Sequence, residues 1–148
     1  MKKTIFTIAT FLVANLSIAQ WNNKSVDNGL DDPYRICHTR KYNRVMLKLE
    51  NTPDGVMFYL QGTYFCTDLP LVELSFLVNN KWVKYSLTGM KSSQSDAIFL
   101  VDSIADAVFF TSFLNATSVK IRVNEDFCLT EIYEFNMSGS TSAFNFVK

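Results

Sequence analysis

The chain has 148 residues, 48% of them apolar, with 14 basic residues against 14 acidic ones and only five glycines. A neutral chain with no dense Lys/Arg field lacks the counterion release that drives nucleic-acid binding, and so few glycines leave no phosphate-cradling loop. The length suits one domain able to bury a core of its own.

Lys2 and Lys3 precede an apolar run from Ile5 to Val13, and Ser17-Ile18-Ala19 then supplies a small-x-small cleavage site before Gln20. This pattern predicts a secretory signal peptide over residues 1–19; the run is too short for a retained membrane span, and Gln20 stands where a lipoprotein would have Cys. Taking 19 from 148 leaves 129 residues, in which 12 basic residues face 14 acidic ones, a formal charge of about −2. The expected location is therefore secreted or periplasmic.

Residues 20–33 are polar, with Asn22, Asn23, Asp27, Asn28, Gly29, Asp31 and Asp32, and read as an N-terminal arm or loop before a single domain over residues 34–148. Arg35, Arg40, Lys41 and Arg44 form the densest basic group, read as a solvated hairpin rather than a polyanion site. Val45, Leu47 and Leu49 alternate with Met46, Lys48 and Glu50, and Pro53-Asp54-Gly55 turns the chain into Val56, Phe58 and Leu60, predicting a hairpin. Val72, Leu74, Phe76 and Val78 predict a strand, Asn79-Asn80 a tight turn, and Val83, Tyr85 and Leu87 the return. Lys91 to Ser95 reads as a polar loop and Ala97 to Val101 as a short apolar strand.

Ser103-Ile104-Ala105-Asp106 has the form of a capping box, and Ala107, Phe110 and Leu114 recur at helical spacing behind it. A helix of about three turns is expected over residues 104–114, although the Val, Phe and Thr of Val108 to Phe113 favour a strand by propensity. Val119, Ile121 and Val123 form another alternating strand, Tyr133, Phe135 and Met137 a last one, and Ser140 to Val147 a closing turn of helix. Seven or eight short strands with one short helix predict a mainly β, antiparallel two-sheet sandwich. An outer-membrane barrel is excluded, because strands of about five to eight residues fall short of the roughly nine to eleven needed to cross, and Lys48, Glu50, Lys84, Lys120 and Arg122 occupy the faces that would meet lipid.

Phe109 to Leu114, followed by Ser118-Val119-Lys120-Ile121-Arg122-Val123, then Tyr133-Glu134-Phe135-Asn136-Met137-Ser138-Gly139 and Ala143, resemble the layout of small exported bacterial β-sandwich proteins, the invasion-associated locus B proteins and the VasI-like proteins of type VI secretion clusters. The resemblance covers about the last forty residues and implies the same fold class, with no catalytic residues to carry over. The leader ending in Ala19-Gln20 is similar to those of exported flavobacterial proteins, and Asp102-Ser103-Ile104 resembles the O-glycosylation site of that group, which would modify Ser103.

No residue set meets the needs of a reaction centre or a bound cofactor. His38 is the single histidine, and Cys37 beside it points to the opposite face of a strand, so the two do not pair as nucleophile and base. One His and three scattered Cys do not form a zinc site, and Asp27, Asp31 and Asp32 lack the twelve-residue loop and terminal Glu of a calcium hand. Glu73, Glu131 and Glu134 lie on predicted strands with nothing to fix two of them at a glycosidase separation. Asn23, Asn115 and Asn136 match the N-glycosylation pattern.

Cys37, Cys66 and Cys128 allow three single bridges closing 30, 63 or 92 residues. Loop-closure entropy separates them only from roughly 3.6 to 4.6 kcal/mol. We take Cys66 with Cys128, each just before a strong strand pattern, leaving Cys37 as the spare thiol. Finally, Trp82 is out of phase with Val83, Tyr85 and Leu87, and Tyr59 with Val56, Phe58 and Leu60, so Tyr59, Trp82 and Lys84 are expected on an outer sheet face suited to a glycan or a protein partner. The competing use of Trp82 is to cover a sheet edge or pack under a loop. The expected function is that of an exported, non-enzymatic binding module, with an inhibitor or accessory protein of a hydrolase or secretion system as the alternative. Such an inhibitor would act through Lys91 to Ser95 or the Pro53-Asp54-Gly55 turn.

Overall fold

The computed structural model describes residues 21–27, 29, 33–39, 45–53, 55–62, 65–91, 97–99, 107–124 and 130–148. The leader, Arg40 to Arg44, Asp31, Asp32, Asp54, Ser92 to Ser95, Ser103 with its capping box, and Cys128 lie outside the described residues.

The strands are β1 (Trp21–Val26), β2 (Tyr34–Thr39), β3 (Met46–Thr52), β4 (Gly55–Gln61), β5 (Leu71–Val78), β6 (Lys81–Thr88), β7 (Met90–Lys91) and β8 (Ala97–Phe99). Helix α1 (Ala107–Asn115), β9 (Ser118–Asn124), β10 (Glu131–Asn136) and α2 (Ser140–Val147) follow. All pairings are antiparallel, in one sheet ordered β1-β2-β3-β4-β8-β7 and a second ordered β10-β9-β5-β6. The protein is a two-sheet β-sandwich, with two short helices among the described residues.

Period-two burial makes the sandwich. Leu47, Leu49, Phe58 and Leu60 turn inward from the larger sheet, and Val72, Leu74, Phe76, Val119 and Ile121 from the smaller, all almost fully buried in one cluster. Both long hairpins close where their turn residues permit it. Asn79 and Asn80 take positive φ (49° and 61°) in a two-residue turn, and Gly55 takes φ 122° after Pro53.

Helix α1 joins the two sheets. Phe109 and Phe113, four residues apart on one helix face, each meet Phe58 of the larger sheet and Phe76 of the smaller edge-on, with ring centres 5.3–6.3 Å apart. The Tyr85 hydroxyl donates to the Val108 carbonyl at 3.0 Å and lies 2.9 Å from the Ser112 hydroxyl, tying α1 to β6. Of the expected stripe, Phe110 and Leu114 are only half-buried, and the Ala107 side chain lies outside the described residues. Phe109, Ser112, Phe113 and Ala116 face the core, whereas Phe110 packs on Phe144 of α2. Both stripes have helical spacing, and the one carrying two rings in phase fits the gap between the sheets.

Two further departures have physical causes. Among the described residues regular structure begins at Trp21 rather than Tyr34, because β1 pairs along its length with β2, yet only Trp21 of its six residues enters the core. Asn23 and Ser25, on the same phase as Trp21, are polar and exposed, Asn23 accepting a hydrogen bond from the Cys37 thiol, so no apolar alternation marks the strand. At the other end, α2 runs two turns. It starts after Gly139, whose φ of 87° opens the turn, and packs on β1, β2 and β3. Its last carbonyls, which no intrahelical donor reaches, accept from Arg35 (Phe146 carbonyl, 3.1 Å) and Asn51 (Val147 carbonyl, 2.8 Å). Ser140 and Thr141 at its start donate to the Phe113 and Leu114 carbonyls at the end of α1.

Candidate functional site: the outer face of the four-stranded sheet

Cross-strand register sets out this face in rows. Ser86, Glu73, Arg122 and Ile132 stand side by side across β6, β5, β9 and β10; the next row is Lys84, Ser75, Lys120 and Glu134, and the third is Trp82, Leu77, Ser118 and Asn136. Each belongs to the exposed or half-buried phase of its strand, opposite the buried set.

The small side chains Ser75 and Ser86 leave a depression of about 250 Å³, walled by Glu73, Lys84, Lys120 and Arg122 and closed at the far side by the exposed Ile132. Three cations stand against two carboxylates. Arg122 reaches Glu73 at 3.2 Å, and Lys120 reaches Glu134 at 3.8 Å, all four side chains being about half exposed. Lys84 forms no ion pair among the described residues. Trp82, 42% exposed, lies beside this row, with the Lys120 ammonium 4.9 Å from its ring centre. That distance is a cation–π contact spanning β5, and it lays the indole towards the middle of the sheet.

Trp82 and Lys84 thus share one outer face. Tyr59 does not join them. It sits in β4 of the other sheet, on the outward phase but only 9% exposed, with Lys48 Nζ 5.2 Å from its ring centre. Burial, with a smaller contribution from the Glu50 carboxylate, pushes its phenol up to about 12. The out-of-phase position was readable from the chain; the sheet to which it belongs was not.

The other tested residues are apart from this face. The Cys37 thiol is fully buried beneath α2, 2.9 Å from Asn23 Oδ1 and 3.4 Å from the Ala143 carbonyl, and burial pushes it up to about 11. A thiol so held is a poor source of thiolate. His38 lies on the opposite side of β2, its Nδ1 3.0 Å from the Thr39 carbonyl. Glu131 accepts from the Tyr133 hydroxyl, and Glu134 from Ser118 at 3.1 Å. Asp27 caps the amide of Gly29, a local turn contact. Among the described residues no group of three His, Cys, Asp or Glu side chains could hold a metal ion, and no helix is long and apolar enough to cross a membrane.

Lys120 and Arg122 are the site residues that reading the chain did not single out. Their shared phase on β9 was legible, but their place beside Ser75 and Glu73 depends on pairing β9 with β5, across a sequence separation of 40 residues or more. A second hollow, of about 390 Å³, lies at one end of the sandwich between Pro53, Gly55 and Val56 of the β3–β4 turn and the rings of Phe110 and Phe144. No protein-family model, no curated protein and no solved structure matches this chain.

Proposed function

We propose that the chain is an exported, non-enzymatic binding module that takes a glycan or a protein partner on the outer face of β10-β9-β5-β6. One observation carries this reading: Trp82 is held out in solvent by Lys120 beside a polar depression, rather than folded over an edge or under a loop. An exposed indole next to hydroxyls and cations supplies both the flat apolar surface and the directional groups that recognition needs. Export is supported by the charged, apolar and small-residue pattern of the leader. The disulfide belongs to the same proposal: Cys66 pairs with Cys128 and leaves Cys37, a free buried thiol, as the spare.

The test is a glycan array and a pull-down from culture supernatant, each with the exported protein and its Trp82→Ala variant. Saturable binding lost in the variant supports the module. Hydrolase activity that survives repurification and disappears on changing His38 or one of the glutamates would overturn it. The alternative reading, an inhibitor or accessory protein of a hydrolase or secretion system, draws on the exposed Pro53 turn, braced by the Thr52 hydroxyl donating to the Gly55 carbonyl at 2.8 Å. Co-purification with a single enzyme that Trp82→Ala leaves intact would favour it.

A further inference from the structure

The binding reading leaves the ligand open, and the charges around the depression narrow it. We infer that this face binds a carboxylated polysaccharide, a chain carrying about one uronate-type anion per one or two sugars, with Lys84 as the anion anchor. The inference rests on the proposal that this face is the binding surface.

Lys84 and Lys120 flank Ser75 in one row, each one strand away from it. Strands are about 4.8 Å apart, so the two lysines rise from positions roughly 10 Å apart, on either side of a hydroxyl floor. An extended saccharide lying across that row meets a cation at each end and a hydroxyl between them. Of the three cations, Lys84 has no ion-pair partner among the described residues. Arg122 engages Glu73 through one guanidinium nitrogen at 3.2 Å, which leaves donors of its fork to spare, and Lys120 holds Glu134 only at 3.8 Å. Exposed pairs of this kind contribute about 0–1 kcal/mol, so a ligand carboxylate can share either cation at little cost.

The carboxylates Glu73 and Glu134 exclude the densely charged ligands. Three cations interleaved with two anions leave a net charge of only about +1, which offsets most of the attraction for a phosphate ladder or a heavily sulfated chain, whereas isolated carboxylates can meet Lys84 and the free side of Arg122. The centre of the face is set with Ser75, Ser86 and four charged side chains, whereas the core of a protein interface is depleted of charge. At its margin the exposed part of Trp82 provides a surface for a sugar ring.

Calorimetric titration of the full exported protein with trigalacturonate, its methyl-esterified neutral counterpart and a heparin hexasaccharide tests the inference. Saturable trigalacturonate binding is expected, at least about tenfold tighter than the neutral ester and weakened about tenfold by Lys84→Gln, the usual scale for one charge-assisted hydrogen bond. Lys24→Gln, on the other sheet, should change nothing. Equal affinity for the ester, tighter binding of the heparin hexasaccharide, or an unaltered affinity in Lys84→Gln would overturn the inference. If a neutral glycan or a protein still binds and is lost in Trp82→Ala, the binding-face proposal stands while its acidic ligand falls. If Trp82→Ala alters no interaction of any kind, both fall.

Discussion

Lys120 stands 4.9 Å from the ring centre of Trp82 although their strands are not neighbours, for β5 runs between them. The contact therefore spans the middle of the sheet and fixes where an exposed indole lies. Exposed cation–π contacts stabilise by roughly 0.5–1 kcal/mol. Replacing Lys120 with Met should accordingly lower stability by no more than about 1 kcal/mol while changing the Trp82 emission maximum, measured by urea unfolding and steady-state fluorescence against a Trp21→Phe background. A loss above about 2 kcal/mol would show that Lys120 supports the fold rather than the posture of the indole.

The aromatic seam of α1 predicts a much larger cost. Phe109 and Phe113 are each 1% exposed and touch rings from both sheets. Phe109→Ala or Phe113→Ala should destabilise by about 3–5 kcal/mol, whereas Val108→Ala, on the 63% exposed side of the same helix, should stay within about 0.5 kcal/mol. Denaturant midpoints at constant slope check both values.

Cys37 makes stability fall in alkali. Its folded thiol is raised from 9.0 to about 11, so below pH 9 both folded and unfolded chains hold the proton and nothing is lost. Above that the unfolded chain releases it first, and stability declines as pH rises towards 11. Tyr59, raised from 10.0 to about 12, adds a second decline between those values. Thermal unfolding from pH 8 to pH 11 should show a shallower fall in Cys37→Ala, and a variant with an unchanged profile would show that the buried thiol is not the group titrating.

The β5–β6 turn should discriminate by backbone conformation alone. Asn80, at φ 61°, tolerates the left-handed region that a Cβ-bearing apolar residue resists. Asn80→Ala is expected to cost about 1 kcal/mol, and Asn80→Gly to be neutral or slightly stabilising. Paired melting curves of the two variants decide it.

What could be read from the chain followed the range of the forces involved. The β3–β4 and β5–β6 hairpins were legible because alternation and turn chemistry are local, and for the same reason Trp82 and Lys84 could be placed on an outward phase. The joining of β9 to both β5 and β10 was not, since nothing in Val119, Ile121 and Val123 names the strands they will sit beside. Tyr59 shows the same limit: alternation gives a side chain's face within its strand but not which sheet that strand enters. Strand β1 escaped notice because five of its six residues stay out of the core and leave no apolar alternation, and α1 presented Phe109 rather than Phe110 because a helix rich in aromatics carries more than one stripe.

The way α2 is fastened gives the protein an internal gauge. Arg35 and Asn51 clasp its final carbonyls, and the Ala143 carbonyl lies directly over the Cys37 sulfur. Peeling back those eight residues would uncover the thiol while both sheets stayed paired. The rate at which Cys37 takes up an alkylating label therefore counts the openings of the carboxyl-terminal clasp, separately from melting of the whole molecule.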